Sequence, residues 1–96
     1  MRETVRAVWL CISGVNALMA AEGVAAGNRA AARAWLLHVA LSIGQPQIAS
    51  ALGLTKQNFS KLVKTCERRM DEDRLLLAQM ERIRAKILEV GHDEQL

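Results

Sequence analysis

Aromatic residues are scarce in this sequence, which has no tyrosine, one phenylalanine and two tryptophans among its 96 residues. Because aromatic and β-branched residues favour strands, their scarcity argues against an all-β domain. There is one proline, and no glycine-rich or serine-rich stretch indicates a linker to a second domain. Alanine, by contrast, occurs 15 times, and alanine and leucine favour helices. The composition predicts a single all-α domain, a compact bundle of four to five helices.

Only two cysteines and two histidines are present, and they are scattered along the chain. Cys11 and Cys66 can form at most one disulfide, and both stand among apolar residues. We therefore predict small core residues in a reducing compartment, the cytoplasm. Their spacing from His38 and His92 does not match a metal site. We expect that the protein is not an enzyme and uses no cofactor or small-molecule substrate, because the sequence shows no set of residues typical of a catalytic site.

An uncharged run extends from Ala7 to Ala21 and follows two arginines. A secretory signal peptide has a similar pattern and is the alternative interpretation. The run is too short to span a bilayer, so no membrane partner is expected. Its large apolar residues recur at steps of three and four, which predicts the buried face of a helix. These residues are the valines, Trp9, Ile12, Leu18 and Met19.

Capping residues and glycines divide the domain into four segments. They are an N-terminal helix (1–28), a helix-turn-helix core (29–73), a C-terminal helix (74–90) and a frayed tail (91–96). In the core, Asn28 is expected to cap a helix that begins at Arg29, and Gly44 to end it in a left-handed conformation. Pro46 opens a short helix that stops at Gly53.

A longer helix is predicted to begin near Lys56, with Thr55 as its N-cap. It bends or breaks near Met70 to Asp73, where acidic residues can cap the last helix. That helix carries apolar residues at steps of four and three, and Gly91 is expected to end it. The apolar residues are Leu76, Met80, Ile83, Ile87 and Val90.

Residues 47–64 have the pattern of a helix-turn-helix. Ala49 lies where two helices approach closely, and Gly53 lies where a tight turn needs a positive φ. Five large apolar residues fall where the motif needs its core. They are Ile48, Leu52, Leu54, Phe59 and Leu62.

The basic charge is concentrated in this part of the chain. Residues 29–69 carry a net charge of +6, whereas residues 1–28 are neutral and residues 71–96 carry −3. With the apolar residues of the longer helix facing inward, its outward stripe is polar and free of acids. The stripe consists of Gln57, Ser60, Lys61, Lys64 and Arg68. This pattern predicts double-stranded DNA as the partner. The alternative is a helical hairpin whose lysines only keep it in solution.

In a DNA-binding helix-turn-helix, residues near the start of the second helix reach base edges. We therefore predict that Gln57, Asn58 and Lys61 contact bases, since an amide side chain pairs bidentately with adenine. Phosphate contacts are predicted for Thr55, Lys56, Lys64 and Arg68.

The core segment resembles the C-terminal DNA-binding domain of the bacterial replication initiator DnaA, in the small stand-alone form found in alphaproteobacteria. The similar stretches, within about residues 29–73, are Trp35 to Ser42, Ile48 to Gly53, and Phe59 to Asp71. The resemblance implies a helical fold of the DnaA C-terminal or Trp-repressor type. It also implies that Arg29, near a basic position of the family, contacts the minor groove or phosphates.

The sequence departs from the family at the start of the recognition helix. The initiators have an Asp-His-Thr run where this chain has Thr55, Lys56 and Gln57, so we do not expect it to recognise the initiator's box. The sequence also has no P-loop. The resemblance therefore implies a small transcription regulator, similar to the DNA-binding component of gene transfer agent activators. Such a component acts with a partner that contacts RNA polymerase.

The flanking helices have two possible roles. Trp9 could pack on the stripe of the last helix and close one bundle. Alternatively, these residues could form a seam with a second subunit or another protein. The candidates are Trp9, Leu76, Met80, Ile83 and Ile87. The seam would suit a rival function, a non-enzymatic helical adaptor that binds proteins. The resemblance offers another alternative, a replication-control protein related to DnaA.

Overall fold

The computed structural model describes the backbone of residues 2–94 and the side chains of residues 7–89. All regular structure in this range is helical, which confirms the predicted all-α bundle. The helices are α1 (Arg2–Glu22), α2 (Ala26–Trp35), α3 (Gln45–Leu52), α4 (Lys56–Glu72) and α5 (Arg74–Glu94), and α2 continues as a π-helical turn (Leu36–Ala40).

One apolar core joins the helices. Its largest fully buried side chain is Phe59 of α4. Ala31, Ala32 and Ala34 are buried on α2, where small side chains let neighbouring helices approach closely. The buried residues of α1 and α5 are Val8, Ile12, Val15 and Met19, and Leu76, Met80 and Ile83.

The expectation that Trp9 packs into the core is wrong. Its side chain is 51% exposed, whereas Val8 and Val15, which were expected on the same face, are buried. Val8, Ile12, Val15 and Met19 repeat at steps of four, three and four. Trp9 lies one residue off this stripe, about 100° around the helix. A step of three from Trp9 to Ile12 and a step of four from Val8 to Ile12 both fit one face of a helix. The spacing alone therefore does not show whether Trp9 or Val8 is buried.

The predicted start of the second helix is also wrong. The helix α2 begins at Ala26, and its N-cap, Ala25, has no side chain that could accept a hydrogen bond. Asn28 lies inside the first turn, where its Oδ1 accepts a hydrogen bond from Arg69 Nη1 at 3.0 Å. A bond from the distant α4 therefore uses the side chain that was expected to cap the helix.

Gly44 does not end the second helix in a left-handed conformation. Its φ is −62°, and it is the N-cap of α3. The left-handed residue is Ser42, with φ 55°. The π-helical turn displaces the end of the helix, and the Ile43 N–H then donates to the Leu37 carbonyl at 3.1 Å. His38 Nδ1 is 3.1 Å from the Ile43 carbonyl oxygen, which stabilises the same turn.

The predicted break between the last two helices is confirmed at Asp73. Its Oδ1 accepts hydrogen bonds from the backbone N–H groups of Leu75 and Leu76 at 3.0 and 3.3 Å. Gly91 does not end α5, which continues to Glu94. A glycine inside a helix costs only about 1 kcal/mol relative to alanine, so helix geometry can persist through it.

Replacing Gly53 by alanine is expected to destabilise the fold by about 1–2 kcal/mol, since Gly53 has φ +67°. Apart from Gly53 itself and its two chain neighbours, no residue comes within 4 Å of the position its Cβ would take, so the cost comes from the local backbone conformation. Gly14→Ala is the matched control, because Gly14 lies inside α1 with the same free space. We expect it to stabilise by about 0.5–1 kcal/mol. Urea denaturation measures both, and effects of the same sign would contradict the assignment of the turn.

Burial protects the two thiols to different degrees. It raises the pKa of the Cys11 thiol, which is half-buried. Burial, together with the nearby Glu67 carboxylate, raises the pKa of the Cys66 thiol to about 11. At pH 8 iodoacetamide should therefore modify Cys66 at least about a hundredfold more slowly than in the unfolded chain, because the thiolate is the reactive form. Mass spectrometry should find Cys11 modified first, and equal rates for the two thiols would contradict the buried position of Cys66.

Candidate nucleic-acid interface

The helices α3 and α4 form the predicted helix-turn-helix. The Leu54 N–H donates to the Ala49 carbonyl at 2.8 Å, across a turn in which Gly53 is left-handed. Ile48 and Phe59 are fully buried, and Ala49 is buried as well. The remaining predicted core residues are half-buried, namely Leu52, Leu54 and Leu62. The core and turn of the motif therefore form as expected.

Thr55 begins the second helix of the motif. Its Oγ1 accepts a hydrogen bond from the Asn58 N–H at 3.1 Å, which confirms the predicted N-cap. The Phe59 N–H donates to the Thr55 carbonyl. The N–H groups of Lys56 and Gln57 precede these bonds and point out of the helix end without an intrahelical acceptor. Together with the helix dipole, they favour an anion at this end of α4.

The exposed face of α4 carries the predicted DNA-binding residues. Gln57, Lys61, Lys64 and Arg68 are all exposed and repeat at steps of four, three and four. They therefore lie on one side of the helix, over a length of about 16 Å. Ser60 is half-buried at the edge of this face. We call these five residues the α4 face.

The α4 face is positively charged and unpaired within the described side chains. The ion pair between Arg82 and Glu22 is the one found among residues 7–89, and it lies on other helices. Lys56 and Asn58 are exposed on either flank, near the helix start. Basic groups that are free of internal partners can bind phosphates without first breaking a bond within the protein.

Arg29 does not join the α4 face through any contact of its own. It is half-buried on α2, and its Nε donates to the Val24 carbonyl at 2.8 Å. Its predicted role as a phosphate or minor-groove contact therefore requires the remaining guanidinium N–H groups.

Arg69 is a structural residue that the sequence analysis missed. Its Nη1 donates to the Gly27 carbonyl and to Asn28 Oδ1, both at 3.0 Å. These bonds connect the second half of α4 to the start of α2. The helical position of Arg69 could have indicated this role, because it falls on the inward side of α4, next to buried Cys66 and Met70. An arginine there must find acceptors on a neighbouring helix.

The stripe of the last helix closes the core of this chain. Leu76, Met80 and Ile83 are buried and Ile87 is half-buried, so the structure favours the closed bundle over a seam with another chain for these residues. Buried Gln79 adds a polar contact that was not predicted, since its Nε2 donates to the Glu22 carbonyl at 3.0 Å. Arg82 Nε lies 2.6 Å from Glu22 Oε1 and fixes the same end of α1 on α5.

A cluster of metal ligands and a membrane-spanning helix are both absent from the part of the chain that the structure describes. That part contains no group of three His, Cys, Asp or Glu side chains placed to hold a metal ion. None of its helices combines the length and the apolar character needed to cross a membrane.

Comparisons with protein-family models, with curated proteins and with solved structures find no match to this chain. The class of the protein follows from its fold and its exposed residues. It is an all-helical protein in which a helix-turn-helix presents a basic face.

Proposed function

We propose that this chain is a sequence-specific, double-stranded DNA-binding transcription regulator, and not an enzyme. The observation that carries the proposal is the α4 face, which is basic and exposed apart from half-buried Ser60, and which lies on the second helix of a helix-turn-helix. Exposed Glu67 lies at its edge, beside Ser60. In proteins of this architecture the second helix enters the major groove.

The proposal gives specific roles to exposed polar residues of α4. Gln57 and Asn58, exposed near the helix start, pair with base edges, and Lys61 donates to guanine. Lys64 and Arg68 bind backbone phosphates further along the groove. Thr55, Lys56 and the free N–H groups of the first turn hold a phosphate at the helix start. Arg29 adds a contact to phosphates or the minor groove.

The acidic residues that follow the α4 face limit its extent. Asp71 and Glu72 are exposed at the end of α4, one turn beyond Arg68. Negative charge there is repelled by phosphates, so the DNA path ends near Arg68. This limit favours a short contact of a few base pairs for each copy of the chain.

The resemblance to the DnaA C-terminal domain, which rests on residues of the same helix-turn-helix, is in line with this proposal. Since Thr55, Lys56 and Gln57 replace the family's base-reading run, we propose a target other than the initiator's box. We further propose a cytoplasmic protein associated with the nucleoid, which activates transcription together with a polymerase-contacting partner.

A salt titration of the full chain tests DNA binding. Fluorescence anisotropy of a labelled random-sequence duplex is measured at several salt concentrations. With four or five phosphate contacts, the logarithm of the association constant should fall against the logarithm of salt with a slope of about −4. Absence of binding at low salt, or a slope near zero, would overturn the proposal.

A protein-binding adaptor is the second candidate, and exposed apolar side chains on α1 favour it. Trp9 and Leu10 are both more than half exposed on a helix with no charged residue between Ala7 and Ala21. Exposed large apolar residues mark interaction surfaces when they lie together. In this case Trp9→Ala would abolish capture of the partner and leave the DNA titration unchanged. The two functions are compatible if the partner contacts polymerase.

A further inference from the structure

A second row of residues on α5 faces outward beside the buried stripe. It consists of Leu77, Glu81, Arg84 and Leu88, each one position after a residue of the stripe. We call this row the α5 flank. Leu77 is 38% and Leu88 59% exposed, and Glu81 and Arg84 are exposed between them. The steps of four, three and four place the row along one side of the helix.

The α5 flank is complementary to its own reversed sequence, because apolar residues then face apolar residues and acidic residues face basic ones. If two α5 helices pair antiparallel about a point between residues 82 and 83, Leu77 lies opposite Leu88 of the second copy. In the same register, Glu81 lies opposite Arg84 of the second copy. Each contact then occurs twice, because a two-fold interface places residue i against j and j against i. Leucine side chains pack against each other at both ends of the interface, and glutamate faces arginine at its centre.

We propose that the α5 flank is a homodimer interface, in which a second copy of this chain packs antiparallel along it. Four-three spacing is the spacing at which two helices pack with a crossing angle of about 20°. The occupant is a second copy because the charge pattern complements its own reverse. Within residues 7–89 neither Glu81 nor Arg84 has an ion-pair partner in its own chain, so both are available across the interface.

A groove lies at the end of the flank where Leu88 of the second copy would pack. Its volume is about 370 Å³. It opens between α4 and α5 and is lined by Met70, Asp71, Arg74, Leu77, Ala78 and Glu81. The apolar lining residues come from both helices, so the leucine side chain would be covered from two sides. The groove therefore extends the contact beyond a single helix pair.

The expected dimer is weak. The flank is about 16 Å long, and such a surface falls at the low end of specific interface sizes. We expect a dissociation constant on the order of 10–100 μM for the free protein. The dimer would present two α4 faces related by a two-fold axis, so that a target would contain two inverted half-sites. That consequence rests on the proposed function, whereas the dimer itself does not.

Sedimentation equilibrium of the full chain in the absence of DNA tests the interface, with charge reversals as variants. E81R places like charges opposite each other at both central contacts, and so does R84E. Each variant alone should dissociate at least about tenfold more readily than the unaltered chain. An equimolar mixture of E81R and R84E should restore association as a heterodimer, because every central contact in it joins opposite charges. The double variant E81R/R84E should restore the homodimer.

Two further variants separate the interface from general surface effects. Leu88→Lys should prevent dimerisation, whereas Leu75→Lys should leave it unchanged. Leu75 is similarly exposed, at 65%, but lies on the other side of α5. Circular dichroism confirms that each variant is folded. A chain that stays monomeric up to about 1 mM, or single reversals that mixing does not rescue, would overturn the proposal. DNA binding is measured separately, so a monomer that binds DNA contradicts the dimer alone.

Discussion

A chain carrying both K61E and K64E is expected to bind duplex DNA about a hundredfold more weakly than the unaltered chain. Lys61 and Lys64 are adjacent on the exposed side of α4, on consecutive turns. Each reversal removes one cation from the DNA surface, at guanine for Lys61 and at the phosphates for Lys64, and adds one anion near the phosphates. The salt slope should become shallower by about two, because two fewer counterions are released. Anisotropy titrations of one duplex at several salt concentrations measure both quantities.

K86E is the matched control for the single variants K61E and K64E. Lys86 is also exposed, and K86E changes the net charge equally, but Lys86 lies on α5 and away from the α4 face. We expect K86E to weaken DNA binding by less than about threefold, through the change in net charge alone. If K86E weakens binding as much as K61E or K64E, the attraction comes from total charge, and the assignment of α4 as the recognition helix is wrong.

Phe59→Ala should have the largest effect on stability, a loss of about 3–5 kcal/mol. Phe59 is fully buried, and its ring meets the edge of His38 at a centroid distance of 5.8 Å. Alanine would leave a cavity between α4 and the π-helical turn. Since domains of this size are stable by about 5–15 kcal/mol, the variant would lose about a fifth or more of its stability. Thermal unfolding followed by circular dichroism should show a midpoint at least about 12 °C lower.

Leu75→Ala is the control for that substitution, because Leu75 is exposed and its truncation opens no cavity. Its effect should stay within about 0.5 kcal/mol. A Phe59→Ala chain that unfolds at the midpoint of the Leu75→Ala chain would show that Phe59 is not a central core residue. The arrangement of α3 against α4 would then need another explanation.

The helix-turn-helix could be predicted from the sequence because local and tertiary signals agree there. Glycine takes a positive φ without strain, and Gly53 stands where the turn needs it. Thr55, two residues later, caps the next helix. Ile48 and Phe59 are buried at the spacings that the motif requires. The exposed α4 face followed directly, since fixing the inward side of a helix also fixes its outward side.

The remaining errors arise where a distant contact outweighs a local preference. Asn28 is a good capping residue, but Arg69, distant in the sequence, takes its side-chain oxygen. The π-helical turn moved the left-handed residue from Gly44 to Ser42. Neither outcome is encoded in neighbouring residues. The α5 flank also depends on the fold, because its four residues could be recognised only once the adjacent stripe was found buried.

Selection from a pool of random-sequence duplexes tests the central claim most directly. The purified full chain is mixed with the pool at several salt concentrations, and the retained duplexes are sequenced. We expect one shared motif to be enriched, with affinity that falls steeply with salt. The motif should differ from the DnaA box. Retention of no duplex at low salt, or a retained pool with no shared motif, would contradict sequence-specific DNA binding by α4.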